Sequence, residues 1–261
     1  MSTVWIDRLT WEEFQHLGVA SKPVIIPVGS TEQHGPHLPL GTDSMLAVSI
    51  AQDAAQKAGA FVAPALCYGW SPHHMVLPGS VTVRPDVLIE LLYDITRSLS
   101  QHGVTRFVYL NGHRIVNIPW LQIAADRAQR DLSVRAVIFD PAHMSRDISE
   151  SLGFGPLGHA EEIETSHMLC VLPSLAKPEL ALDFAVPEPN LYSVDPRYTQ
   201  DSLCYVPSTP RAMQEAVRQA KGATGCPTKA TKEKGRLYHE HLVKRLAEVI
   251  DLLMQEQVQP K

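Results

Sequence analysis

This chain is poor in the features that mark several large protein classes. Its four cysteines, Cys67, Cys170, Cys204 and Cys226, are widely spaced and form no CxxC pair. That excludes a disulfide scaffold and reads as the reduced thiols of a cytoplasmic protein. No stretch of about 18 apolar residues occurs, so no membrane-spanning helix is expected. The opening residues, MSTVWIDRLTWEEF, lack a basic segment followed by an apolar core, which argues against a secretory leader. Positive charge is not in excess: the net charge is -5, and nucleic-acid partners usually select a basic face. No G-x-S-x-G elbow is present, which argues against serine-hydrolase chemistry. Tyr238-His239-Glu240-His241 lacks the HExxH spacing and reads as a solvated helix face.

What is present is an ordinary globular composition, 44% hydrophobic and 20% charged over 261 residues, enough for one large α/β domain or two small ones. The informative stretch is VIIPVGSTEQHGPHLPLGTD, Val24 to Asp43. An apolar run of strand length breaks at Gly29 and then places Glu32, His34, His37 and Asp43 within twelve residues. Carboxylates and imidazoles at that density, delivered from a strand end, suit a borderline divalent ion such as zinc, manganese or iron.

The remaining chain alternates. Thr10 and Glu13 have capping-box spacing for a short first helix. A helix over Thr42 to Ala58, ended by Gly59, puts Asp43 at a helix N-terminus. Ala60 to Leu66 reads as a second strand, and a long loop with His73 and His74 follows. Val87, Leu88, Leu91, Ile95 and Leu99 mark a helical face. Arg106 to Leu110 is a buried-strand signal broken by Asn111-Gly112-His113. Helical residues follow Ile118, and Val134 to Phe139 is a further strand. This repeat predicts a three-layer α/β/α domain with a mostly parallel central sheet. Ligands of such sheets bind beyond the carboxyl ends of the strands, where Glu32, His34, Asp43 and His113 can meet.

GFGPLG, Gly153 to Gly158, matches G-x-G-x-x-G formally, but no strand precedes it and Pro156 interrupts it, so a dinucleotide site is rejected. HAEEIETSHMLCVL reads as a helix with carboxylates at its start. Residues 173–210 hold seven of the twenty prolines and predict an irregular excursion, followed by C-terminal helices. With no repeat or linker in evidence, residues 1–261 are expected to form a single domain.

Four motifs together give the chain a resemblance to the creatininase (creatinine amidohydrolase) family: PVGSTEQHGPHLPLGTD, the H-x-x-LPGS at His74 to Ser80, LNGH at Leu110 to His113, and GHAEEIETS at Gly158 to Ser166. They lie in the family's order between about residues 23 and 170. The resemblance implies a creatininase-like fold and two divalent metal ions per chain (Zn, Mn or Fe). Asp43 would bridge them, with Glu32 and His113 completing one site and His34 plus a further carboxylate the other. In creatininase that last carboxylate stands two residues after the asparagine-glycine-histidine motif, where this chain has Ile115. Glu162 occupies the matching place for relatives that supply a helix glutamate instead, and Glu164 is the competing candidate. His37 then becomes a supporting residue.

By the same resemblance His159 is the candidate acid/base and His74 a candidate substrate contact. Arg114 stands where many relatives carry a glycine pair, and either reaches substrate or salt-bridges at the rim. The implied activity is hydrolysis of a small cyclic or formamide-type C–N bond through a metal-bridging hydroxide. Two alternatives are ring-opening hydrolysis of a cyclic polyol ketone of the oxidised-inositol type and a non-catalytic small-molecule-binding α/β protein. The expected partners are a small-molecule substrate and further copies of the chain, a homo-oligomer (hexamer by family resemblance), with no nucleic acid and no membrane.

Overall fold

Residues 24–28, VIIPV, present apolar side chains to both faces of a strand, as the centre of a parallel sheet requires. They form β1 (Val24–Val28), in which every residue is buried. The structure is a computed structural model describing residues 3–185 and 209–256. In chain order, α1 (Trp11–His16) precedes β1, and α2 (Thr42–Ala58), β2 (Phe61–Val62), α3 (Pro85–Gln101), β3 (Arg106–Asn111), α4 (Ile118–Leu132) and β4 (Arg135–Phe139) follow. Two short helices, α5 (Pro141–Met144) and α6 (Arg146–Ser151), lead to α7 (Glu162–Val171), α8 (Pro210–Ala220) and the long α9 (Lys232–Gln255).

The strands are all parallel, in the order β2-β1-β3-β4. Side chains alternate across the sheet. Ile25, Val108, Leu110 and Phe139 pack with α2, α7 and α9 on one face, while Val24, Ile26, Phe107 and Tyr109 pack with α3 and α4 on the other. This is the expected three-layer α/β/α arrangement. The chain leaves β1 toward β2 on one side and returns to β3 on the other, so the crevice between β1 and β3 is a topological switch point.

Local rules account for the elements that frame this crevice. In α2, Leu46, Ala47, Ile50, Ala51, Ala54 and Ala55 form one buried stripe, and Gly59 ends the helix at φ 72°. The capping box of α1 forms as predicted, with Thr10 accepting from Glu13 N. On the far side, Gly235 of α9 lets α7 come close, since a Cβ there would stand 1.8 Å from Ser166 O.

Two expectations need correction. The second strand is only Phe61–Val62; Leu66 meets β1 through an isolated bridge to Val28, because Pro64 interrupts the ladder. Tyr238 and His239 are buried, not solvated: α9 crosses between α2 and α7 and turns this part of its surface inward. DISESL lies largely in the helix α6, so the Gly153–Gly158 segment follows a helix and not a strand, in line with the rejection of a dinucleotide site. Most of the proline-rich segment, residues 186–208, lies outside the described residues. No helix among the described residues is long and apolar enough to cross a membrane.

Candidate metal centre

Two glycines let a helix end meet two strand ends. A Cβ on Gly29, just past β1, would lie 2.5 Å from Ser44 N, and one on Gly112, just past β3, would lie 2.2 Å from Asp43 O. Only glycine permits that approach, and its consequence is that the first turn of α2 sits in the switch-point crevice. Asp43 therefore projects between the loop after β1 and the loop after β3, with its charge favoured by the helix N-terminus.

Asp43 divides its two oxygens. Oδ1 lies 3.1 Å from His34 Nε2, whereas Oδ2 lies 3.0 Å from His113 Nδ1 and accepts the Ser30 hydroxyl at 2.8 Å. His34 Nδ1 faces the Glu32 carbonyl at 3.1 Å, which fixes the proton on Nδ1 in the neutral ring. The Nε2 lone pair then faces acceptors: Asp43 Oδ1, and Glu164 Oε2 at 3.8 Å. A lone pair aimed at two carboxylates is unfavourable unless a proton or a metal ion stands between them.

Glu32 presents the same situation. It is fully buried, and neither Oε1 nor Oε2 has a hydrogen-bond partner. Imidazole nitrogens converge on it nonetheless: His74 Nε2 at 3.2 Å, His113 Nε2 at 3.3 Å and His159 Nδ1 at 3.7 Å. Three sets of ligand atoms result, each within 4.8 Å: Glu32, Asp43 and His113; His34, Asp43 and Glu164; and Glu32, His34 and His159. Asp43 belongs to the first two.

Electrostatics point the same way. Burial raises the Glu32 carboxyl, opposed by His113 and reinforced by Asp43, to about 7. Burial would lower His34, but Asp43, Glu164 and Glu32 override it and raise it to about 10. His113 is likewise raised to about 9 against burial, by Glu32 and Asp43. Metal-free, the site recruits protons to offset its own negative charge. The donor set, two carboxylates and an imidazole at one position and the same at the other, fits a pair of borderline divalent ions.

His159 and His74 are held neutral. Burial first, then nearby imidazoles, places both well below the ordinary histidine range. His159 Nε2 donates to the Gln33 carbonyl at 2.5 Å, leaving Nδ1 as the free acceptor toward Glu32. Gln33 Nε2 donates to His74 Nδ1 at 2.8 Å, so His74 carries its proton on Nε2. Gln33, which the sequence did not single out, thus sets both tautomers.

The helix carboxylates are placed otherwise than expected. Glu162, the favoured last ligand, is not brought to the cluster: it binds Lys234 Nζ at 2.5 Å and accepts Gly155 N at 3.1 Å. Glu164 takes the place beside His34 and Asp43. The reason is helix phase, since two residues along a helix turn a side chain by about 200°. Arg114 does not extend toward open solvent either. With its side chain 8% exposed, it binds Glu161 Oε1 at 2.7 Å and Glu164 Oε1 at 2.7 Å, so of the two expected roles the salt bridge is present, set inside the site and not at a solvent rim. His37 is buried against Ala160 O and Thr165 Oγ1, both at 3.0 Å, in no ligand set among the described residues.

A family model described as creatinine amidohydrolase matches residues 7–250. The creatinine amidohydrolase of Pseudomonas putida is 27% identical over 270 residues, covering 95% of this chain and 96% of that protein. The 3-dehydro-scyllo-inosose hydrolase of Thermotoga maritima is 31% identical over 69% of this chain, a region that spans 60% of that protein. The mycofactocin precursor peptide peptidase of Mycolicibacterium smegmatis is 44% identical over 34% of this chain and 38% of its own length. Among solved structures, a creatinine amidohydrolase (creatininase) superposes with a TM-score of 0.81 at 26% identity, covering 98% of this chain and 100% of that one. A structure described as creatininase Mn gives 0.80 at 26% identity, covering 97% and 100%.

Proposed function

This chain belongs to the creatininase family, and on that premise we propose that it hydrolyses a small cyclic or formamide-type C–N bond, with two divalent ions held by Glu32, Asp43 and His113 and by His34, Asp43 and Glu164. The observation that carries this reading is the division of Asp43 between two ligand sets in a site where both Glu32 oxygens are buried and imidazole nitrogens converge on them. Zinc or manganese suits the mixed carboxylate–imidazole donors, and the similarity to a structure described as creatininase Mn supports it.

Bound there, the ions supply Lewis acidity and a water acidic enough to lose its proton near neutral pH. The protein's own groups do the rest. Water oxygen bonds to the carbonyl carbon, and the C–N bond breaks as the nitrogen leaves. His159, neutral with Nδ1 free, takes the proton released by the water and returns it to the departing nitrogen. His74, with its proton fixed on Nε2 by Gln33 and facing Glu32 Oε1 at 3.2 Å, steadies that carboxylate and lines the site as a substrate contact. The products are a carboxylate and an amine.

A second reading has specific support. The 31% identity to an inosose hydrolase favours ring opening of a cyclic polyol ketone, in which the same attack breaks a C–C bond. The test is an assay of metal-loaded protein against cyclic amides, formamides and cyclic polyol ketones. Turnover of the first two classes supports C–N hydrolysis, and turnover of the ketones alone supports the second reading. We also retain a homo-oligomer in the proposal; exposed Val87 and Leu91 on α3 and Ile123 on the adjoining α4 support it.

A further inference from the structure

The contact between Arg114 and the start of α7 has a role that neither substrate binding nor simple charge neutralisation describes. The guanidinium is directed at one oxygen of one ligand. Arg114 Nε lies 3.2 Å from Glu164 Oε1, and Nη2 lies 2.7 Å from the same oxygen and 2.7 Å from Glu161 Oε1. The other Glu164 oxygen, Oε2, accepts Ala160 N at 2.7 Å and faces His34 Nε2 at 3.8 Å. Glu161 is fixed in turn, because its Oε2 caps α7 by accepting Glu164 N at 3.0 Å. Each carboxylate oxygen of Glu164 thus has an assigned partner, and only Oε2 is turned to the ligand set.

Arg114 Nη1 is buried without a hydrogen-bond partner, beside a small cavity lined by Leu46, Ile50, Gly112, Ile163, His167 and Tyr238. Arg114 is therefore positioned by the two carboxylates and, reciprocally, positions them. A lysine could match the charge at this depth but not the two-nitrogen grip on Oε1.

We infer that Arg114 is a positioning residue that holds Glu164 with Oε2 alone presented to the His34–Asp43 position, so that one of the two metal positions depends on residue 114 and the Glu32–Asp43–His113 position does not. This rests on the two-metal reading above. The test uses the full chain stripped of metal and titrated with Mn2+ alone, free ion being read by electron paramagnetic resonance, for wild type, Arg114→Lys, Glu164→Gln and the double variant. Lysine keeps the cation that the two buried carboxylates need, and circular dichroism verifies the fold.

The expected result is two ions in wild type and, in Arg114→Lys, one ion within about threefold of its wild-type affinity and the other weakened about tenfold or more, the loss expected when a residue supporting a metal ligand is altered. The double variant should bind no more weakly than Glu164→Gln alone, as residues acting through one contact do. Wild-type affinity at both positions in Arg114→Lys, equal weakening at both, or full additivity in the double variant would overturn the inference. Failure of wild type to bind one ion is a different result and overturns the metal reading on which it rests.

Discussion

The loop after β1 and the first turn of α7 both bring carboxylates to one point, and they do so by different means. In the loop, Glu32, His34 and Asp43 lie between a strand end and a helix start, and Gly29 and Gly112 let the first turn of α2 come close to both strand ends. At α7, Glu161, Glu162 and Glu164 are candidates of equal chemistry, and their neighbours sort them: Glu161 and Glu164 share Arg114, whereas Glu162 is held by Lys234. A side chain on a tight connection is fixed by the chain around it. A side chain on a helix turn is fixed by whatever packs against that turn.

The largest break of this comparison comes from the shared residue. Asp43→Ala should lose both metal ions and lower activity by about 10³ or more, since it removes a ligand from each set at once; metal analysis and turnover of the purified protein check it. If the glycines fix the loop half, Gly112→Ala should cost about 3 kcal/mol or more in chemical denaturation, because its Cβ would meet backbone. That loss should come with reduced metal content, as α2 is pushed out of the crevice.

The α7 half should respond differently. Glu162→Gln is expected to leave both ions in place while lowering stability by about 1–2 kcal/mol, a value reduced from that of a deeply buried pair because Lys234 is 28% exposed. Loss of one ion in that variant would return Glu162 to the ligand set.

How far the site could be read from the amino-acid sequence follows the same division. β1 and α2 begin and end where the apolar run, Gly29 and Gly59 place them, and the alternation of elements gave the three layers. The convergence of Glu32, His34, Asp43 and His113 was readable because each follows a strand end or opens a helix at the switch point. The choice between Glu162 and Glu164 was not legible, because it depends on Lys234, which is 72 residues away, and on Arg114, 50 residues away. Burial of Tyr238 and His239 was hidden for a related reason, since α9 packs between two helices and its polar positions find polar partners there: His239 binds His167 at 2.8 Å and Asp53 at 2.9 Å.

The smallest effect concerns the anchor of the β3 loop. Asp140 accepts Asn111 Nδ2 at 2.8 Å and Ile115 N at 2.9 Å, holding Ile115 at φ 68°, where a β-branched residue is strained. Against burial, these donors and His143 keep its carboxyl below the usual aspartate range. A lowered folded-state value means that the stabilisation is complete at neutral pH and is lost as pH falls below about 4. Asp140→Asn should therefore cost about 1 kcal/mol at pH 7 and progressively less toward pH 3, as denaturant titrations at both pH values can show.

The central claim is that Asp43 is shared by two metal positions and that Glu164 completes the second. Counting Mn2+ bound per chain in wild type and in Glu164→Gln, at a free concentration that saturates wild type, tests it most directly. Two ions are expected in wild type and one in Glu164→Gln. Fewer than one ion in wild type, or two in both proteins, would contradict it.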